Sequence, residues 1–237
     1  ASVLAEHGLA RAVGFVFDGA GYGSDGESWG GELLYGSAAE AQRLGRLRPL
    51  LLPGGDAAIR APWKIGLAAV FEACGEEAAR ARFGAYPEAE AVLGLTQRGM
   101  AARSSGMGRL FDAVAAIAGL GKTVSYEGQA AVALEQAFDA AATGRYAFEV
   151  AADEAGMLAF DWRGLISAAL RDAAAGAGAG VISARFHRAV AALVTELSGR
   201  FSGEAVALSG GVFQNVRLLE DCFAQLGAHG LSVYANE

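Results

Sequence analysis

A glycine-dense segment directly after an apolar run contains the first residues that could bind a ligand. Residues 12–17 are apolar and rich in β-branched and aromatic side chains, which is typical of a buried strand. Asp18 follows, and then Gly19 and Gly21. Exposed N–H groups in such a turn can form an anion site for phosphate, and a carboxylate at a strand end can face a metal or a ribose. A β-hairpin turn that needs glycine for positive φ is the alternative interpretation.

A second glycine turn lies near the other end of the chain, between a strand predicted over 205–208 and a helix predicted over 216–226. Gly210 and Gly211 would let a flat ligand lie against the backbone. Asn215 could donate or accept hydrogen bonds to a base or a ribose. A tight strand-to-helix connection in which Asn215 caps the helix fits the pattern equally well.

Three charged residues follow the Pro53-Gly54 turn and are predicted as catalytic residues: Asp56, Arg60 and Lys64. Arg60 and Lys64 are four residues apart, which would place them on one face of a helix. Two cations at that spacing can hold a phosphate or a carboxylate. The alternative is a solvated helix face with Asp56 as its N-cap.

Two further positions lie at predicted helix starts. Asp112 is early in an apolar helix predicted over 108–119. A carboxylate among core-forming neighbours is either paired, here with Arg109, or directed into a cleft. Gly128 opens a helix predicted over 126–142, where a missing side chain permits close approach of a ligand.

The cysteines and histidines indicate no further centre. Cys74 and Cys222 are the only cysteines, too few for a disulfide framework or a cysteine-rich zinc site. The three histidines share no metal-ligand spacing, and each fits a surface or core position better than a ligand position. No Ser/His/Asp arrangement can be argued from the spacing.

The composition describes a folded, acidic chain. Of 237 residues, 53% are hydrophobic and 19% charged, which is enough apolar surface for a core. The net charge of −7 excludes a basic nucleic-acid surface over the whole chain. No apolar run reaches the roughly 18 residues of a membrane span, and no signal peptide is recognisable. We expect a cytoplasmic protein with no nucleic-acid or membrane partner, and, since the chain starts with Ala1 rather than Met, a fragment of a longer protein.

Strand-like and helical periodicities together predict an α/β fold. Residues 29–35 could be the return strand of a hairpin with 12–17. Besides those already given, helices are predicted over 63–81, 87–102, 162–174 and 182–198, with 175–180 as a flexible connector. Ligands of open α/β sheets lie outside the carboxyl ends of the strands. We therefore expect both glycine turns to open into one cleft.

Taken together, the motifs resemble the HypF family of carbamoyltransferases over essentially the whole chain. The matching blocks, in order, are residues 17–26, 29–32, 52–63, 108–114, 125–131 and 208–215. The block over 52–63 is the most specific. The matching family region is the C-terminal Kae1-like domain, of the actin/sugar-kinase/Hsp70 fold superfamily. The resemblance thus implies that 1–237 is a partial Kae1-like domain, truncated at both ends and without the acylphosphatase, zinc-finger and YrdC-like domains.

The resemblance implies a carbamoyl-transfer function. In that family, carbamoyl-adenylate is made from carbamoyl phosphate and ATP in the YrdC-like domain. The Kae1-like domain passes the carbamoyl group to the C-terminal cysteine of HypE, and the group later becomes cyanide on the iron of nickel–iron hydrogenases. The implied cofactors are ATP or carbamoyl-adenylate and a divalent Zn or Fe ion. HypE and carbamoyl phosphate are the implied partners.

The resemblance also assigns site residues. Asp18 matches a metal ligand whose companions, a His pair and a second Asp, are expected before Ala1 and after Glu237. We therefore expect the chain alone to be inactive. The nucleotide-binding positions implied are the following: Gly19, Gly21, Asp112, Gly128, Gly210, Gly211 and Asn215.

Two other functions stay open at this stage. One is a Kae1/TsaD-type tRNA threonylcarbamoyl transferase or another O-carbamoyltransferase, against which the block over 52–63 and the acidic balance argue. The other is a non-catalytic nucleotide-binding module.

Overall fold

The computed structural model describes residues 1–201 and 203–236, and within them nine strands form one mixed sheet. The strands are β1 (Ala12–Tyr22), β2 (Ser28–Gly36), β3 (Ala41–Leu47), β4 (Leu50–Leu52), β5 (Ala102–Ser104), β6 (Glu149–Ala152), β7 (Leu158–Asp161), β8 (Val206–Ser209) and β9 (Val233–Ala235). The helices are α1 (Ser2–Glu6), α2 (Asp56–Arg60), α3 (Pro62–Cys74), α4 (Glu76–Phe83), α5 (Ala89–Gln97), α6 (Met107–Ile117), α7 (Gln129–Gln136), α8 (Arg163–Ala174), α9 (Ala179–Ser198) and α10 (Val216–Ala228).

The centre of the sheet brings the two predicted glycine turns together. The strand order is β6-β7-β3-β2-β1-β8-β9, with β4 and β5 attached beside β2. β1 and β2 form the predicted antiparallel hairpin, and β8 pairs parallel to the other edge of β1, with Val16 opposite Ser209. Because the two strands run parallel in this register, the residues that follow Val16 and those that follow Ser209 lie side by side. The predicted α/β fold is confirmed.

The glycine segment is only partly a turn. β1 continues to Tyr22, and the hairpin connection is residues 23–27. Between the pairs Phe17–Gly31 and Gly21–Trp29, three residues of β1 oppose the single residue Gly30. This bulge displaces Asp18 and its two successors from the regular ladder, and bulges of this kind redirect a side chain. The turn predicted directly after residue 17 therefore begins only after Tyr22.

Helix α6 connects the sheet to the helical layer. All eleven of its residues are buried, and it contacts β1, α3 and α9. Its alanines permit close packing, while Leu110, Phe111 and Ile117 fill the core. Phe15 and Phe17 of β1 join the same core, Phe17 stacking on Phe213 with ring centroids 5.3 Å apart. The strand that carries Asp18 is thus fixed from one side by a wholly buried helix.

Several predicted helices have different bounds. The helix predicted over 63–81 is interrupted at Gly75, whose φ is +88°, and divides into α3 and α4. The helices predicted over 87–102 and 126–142 shorten to α5 and α7. α9 begins at Ala179, so the end of the predicted connector is helical. Strands β3, β4, β5, β6, β7 and β9 were not predicted; all of them except β3 have only three or four residues.

Across residues 1–201 and 203–236, every helix is too short or too polar to cross a membrane.

We predict that Gly210→Ala costs clearly more stability than Gly176→Ala. Both glycines have left-handed φ, +100° and +81°, so each alanine should cost about 1–2 kcal/mol for backbone conformation. At Gly210 a Cβ would also overlap the Phe17 carbonyl, whereas at Gly176 it would meet no atom within 4 Å. The overlap should add about 1–3 kcal/mol. Urea unfolding measures the loss of unfolding free energy for both variants. Equal losses would show that the contact between Gly210 and the Phe17 carbonyl does not restrict this position.

Candidate functional site

A cleft of about 420 Å³ lies beside the bulge of β1 and the carboxyl end of β8. Asp18 and Gly19 line it from β1, Gly211 and Asn215 from the turn after β8, and Gly128 from the start of α7. The prediction that both glycine turns open into one cleft is confirmed. The volume lies within the roughly 300–1,000 Å³ of small-molecule sites.

The Asp18 carboxylate sits against the second glycine turn. Its Oδ1 accepts a hydrogen bond from the Gly19 N–H at 2.8 Å. A Cβ placed on Gly211 would lie 3.2 Å from that same oxygen. A side chain at Gly211 would therefore crowd Asp18 and fill the bottom of the cleft, which explains why this position carries none.

Asn215 has the capping role that the sequence left open, and it also lines the cleft. As N-cap of α10, its Oδ1 accepts from the Leu218 N–H at 2.9 Å. Its Nδ2 lies 2.8 Å from Nε2 of the fully buried His187. Burial lowers the pKa of His187 to about 4, so its ring is neutral near pH 7. His187 occupies a core position, one of the two kinds that the sequence favoured for the histidines. It nevertheless contacts Asn215, which lines the cleft.

A buried cation stands between two carboxylates at one wall of the cleft. Arg109 and Asp112 are each 2% exposed, and Nη1 lies 3.2 Å from Oδ2. The Arg109 Nη2 donates to Oε1 of Glu127 at 3.1 Å, and Arg109 and Glu127 both line the cleft. Asp112 is not among the lining residues. The sequence allowed Asp112 to be paired or to point into a cleft, and the structure shows the pairing: Asp112 contacts Arg109, which lines the cleft in its place.

The Asp112 carboxyl has an unusual acidity. Burial raises its pKa to about 7; Arg109 opposes this rise, and the negative charge of Glu127 adds to it. Its Oδ2 has no hydrogen-bond partner, so removal from water is incompletely compensated. Asp112 therefore exchanges a proton close to neutral pH.

Three charged residues of the cleft were missed from the sequence: Arg109, Glu127 and Glu135. Glu127 is exposed, whereas Glu135 is half-buried and its Oε1 accepts from the Val216 N–H at 2.8 Å, at the N-terminus of α10. The signals available for Arg109 were its place at the start of a largely apolar helix and its spacing from Asp112.

The predicted catalytic trio does not line the cleft. α2 ends at Arg60 and Pro62 begins α3, so Arg60 and Lys64 are not on one helix face, and that prediction was wrong. The proline is the cause, because it disfavours helical conformation in the residue before it. Gly55, not Asp56, is the N-cap of α2, and Lys64 Nζ lies 2.5 Å from Oε2 of Glu88.

Two predicted nucleotide-binding glycines also lie outside the lining. Gly21 pairs with Trp29 beyond the bulge. Gly210 sits against the Phe17 backbone and shapes the turn without lining the cleft. The roles assigned to these positions stay predictions.

The described residues do not form a metal site by themselves. No three His, Cys, Asp or Glu side chains within 1–201 and 203–236 come together as a set that could hold a metal ion. Asp18 contributes one carboxylate at the predicted position. Its assignment as a metal ligand stays a prediction.

The fold and cleft match a family of transferase domains. The chain belongs to the family described as the carbamoyltransferase Kae1-like domain, second subdomain, whose sequence model matches residues 14–237. Similar proteins are called HypF. A Synechocystis carbamoyltransferase HypF is 34% identical over 98% of this chain, and a Cupriavidus necator HypF homolog is 39% identical over 98% of it.

Solved structures agree with the sequence comparison. A full-length HypF, crystallised in a phosphate- and nucleotide-bound form, is 33% identical and superposes with a TM-score of 0.90 over 99% of this chain. The T. kodakarensis HypF gives a TM-score of 0.76 at 29% identity, again over 99%. The chain spans 32% of each of these structures, 32% of the Synechocystis protein and 62% of the Cupriavidus homolog.

We predict that Asp112→Asn flattens the dependence of stability on pH near neutrality. A carboxyl whose folded pKa is raised binds a proton that the unfolded chain has already lost, so its stabilising effect disappears as pH rises through about 7. From pH 6 to pH 8 the unaltered chain should lose about 1 kcal/mol of unfolding free energy relative to Asp112→Asn. His187 titrates in both proteins and cancels in the comparison. Urea unfolding at several pH values measures the difference; parallel curves would contradict the raised pKa.

Proposed function

We propose that this chain forms the nucleotide-binding part of a HypF-type carbamoyltransferase that uses carbamoyl-adenylate. The observation that carries the proposal is the single cleft in which the β1 bulge, the β8 turn and the start of α7 meet. Such an arrangement offers backbone surface and amide donors to a nucleotide. The likeness to a HypF crystallised with nucleotide supports the same conclusion.

The proposed reaction passes a carbamoyl group from the adenylate to the C-terminal cysteine of HypE. The thiolate sulfur attacks the carbamoyl carbon and a C–S bond forms. The bond from that carbon to the phosphate oxygen of the adenylate breaks, and AMP leaves with the electron pair. The product is the thiocarbamate from which the cyanide ligand of the hydrogenase iron is made. Carbamoyl phosphate and ATP supply the donor.

This chain's own residues would bind and orient the adenylate. Asn215 offers an amide N–H, and Gly211 leaves the backbone open. The nearest cation, Arg109, is already engaged by Asp112 and Glu127. A Zn or Fe ion, with Asp18 as one ligand, would supply the missing positive charge in the complete enzyme. Since Asp18 is one ligand only, no step is assigned to the metal.

We predict that the 237-residue chain binds AMP with a dissociation constant near or above roughly 1 mM. Arg109, the one cation among the described residues that line the cleft, is already paired with two carboxylates, and the Asp18 charge repels a phosphate. Asp18→Asn should therefore strengthen AMP binding a few-fold and leave adenosine binding unchanged. Zn²⁺ should alter neither. Titrations followed by NMR measure the affinities of AMP and of adenosine for the unaltered chain and for Asp18→Asn.

Glu154→Gln is the matched control, because it removes one negative charge from the exposed turn between β6 and β7. It should leave AMP affinity unchanged. Absence of any binding of AMP or adenosine would refute the nucleotide site. Tight binding that requires Zn²⁺ would show that the chain holds the ion without further ligands, contrary to the geometry of Asp18.

A further inference from the structure

The Asn215 amide has one hydrogen left for a ligand. An asparagine side chain has an acceptor oxygen and two N–H donors. The oxygen accepts from Leu218 N–H at 2.9 Å, and one N–H is directed to Nε2 of His187 at 2.8 Å. Asn215 lines the cleft and is 9% exposed. The second N–H is the polar group that it can offer there.

The neighbouring backbone determines the orientation of the Asn215 amide. His187 Nδ1 lies 2.8 Å from the Ser183 carbonyl oxygen. A carbonyl only accepts, so Nδ1 carries the ring hydrogen and Nε2 holds a lone pair. That lone pair requires a donor, and Asn215 must present its NH₂ group. If the amide were flipped, its oxygen would face the lone pair and the α10 cap would be lost.

The His187 ring has no freedom to turn. It is fully buried on α9, and the rings of Phe111 and Phe138 stand edge-on to it at centroid distances of 5.4 and 5.6 Å. Ser183, one turn earlier, donates through Oγ to the Leu134 carbonyl of α7 at 2.5 Å. Helices α7, α9 and α10 are therefore joined through this chain of hydrogen bonds, which ends at the cleft.

We infer that His187 is a positioning residue that turns Asn215 so that one amide N–H faces the cleft. The cleft therefore selects a ligand with a hydrogen-bond acceptor at that point, such as a ring nitrogen or a ribose oxygen of a nucleotide. The choice of a nucleotide as ligand rests on the proposed function; the orientation of the amide does not.

The tautomer of His187 is a direct test on the unaltered chain, without ligand. Nitrogen-15 NMR at neutral pH should show a ring protonated at Nδ1 only, with a coupling between Nε2 and Asn215 Nδ2 across their hydrogen bond. A ring protonated at Nε2, or at both nitrogens, would overturn the inference, because Nε2 could then not accept from Asn215.

Two substitutions distinguish the effect of the Nε2 lone pair of His187 from the effect of its side-chain packing. His187→Gln keeps an acceptor and loses the ring, whereas His187→Phe keeps a ring and loses the acceptor. In AMP titrations by NMR, His187→Phe should weaken binding about five- to tenfold, and His187→Gln by at most about twofold. The opposite order would show that His187 acts through packing alone and would overturn the inference.

His229→Phe is the matched control. Its Nδ1 also lies 2.8 Å from the carbonyl four residues earlier, but the side chain is exposed at the end of α10. AMP affinity should not change. If the unaltered chain binds neither AMP nor adenosine, the proposed function fails, and the His187 tautomer alone decides the inference. If His187→Phe does not fold, the tautomer of His187 measured by nitrogen-15 NMR on the unaltered chain decides the inference.

Discussion

The close parallel pairing of β1 and β8 is the constraint on which the site depends. Val16 pairs with Ser209, and directly beyond this pair β1 bulges and β8 ends in its turn, at the same edge of the sheet. The two segments can lie this close because Gly210 adopts a left-handed φ and brings no Cβ against the Phe17 carbonyl. Helix α6, which is buried along its whole length, packs against β1. Everything that lines the cleft is placed relative to this contact.

The sequence predicted those parts of the fold whose pattern is local. The β1–β2 hairpin, the unit of β8, turn and α10, and helices α6, α8 and α9 have strong periodicity or turn residues, and all of them form. Apart from β1, which continues to Tyr22, their bounds are close to those predicted. Strands β6 and β9 have too few residues to show a pattern, and their pairing partners supply their stability. The division at Gly75 depends on one glycine that the apolar spacing alone did not single out.

The sequence located the backbone positions of the cleft better than it located the charged side chains. Glycines such as Gly19 and Gly211 were found because turns require particular residue types. Arg60 and Lys64 were grouped by a helical spacing that Pro62 interrupts. Arg109 was not recognised as a cleft residue because pairing between distant segments, here with Glu127, leaves no mark at short range in a sequence. Tertiary contacts, not local spacing, decide where such charges lie.

A nucleotide in the cleft between the two glycine turns would contact backbone amides from both turns. The most direct test is a map of backbone amide chemical shifts during addition of AMP to nitrogen-15-labelled chain. We expect the amides of Gly19, Gly128, Gly211 and Asn215 to shift together with one affinity, while residues 56–64 remain unchanged. Shifts confined to residues 56–64, with the cleft amides unaffected, would contradict nucleotide binding in the cleft.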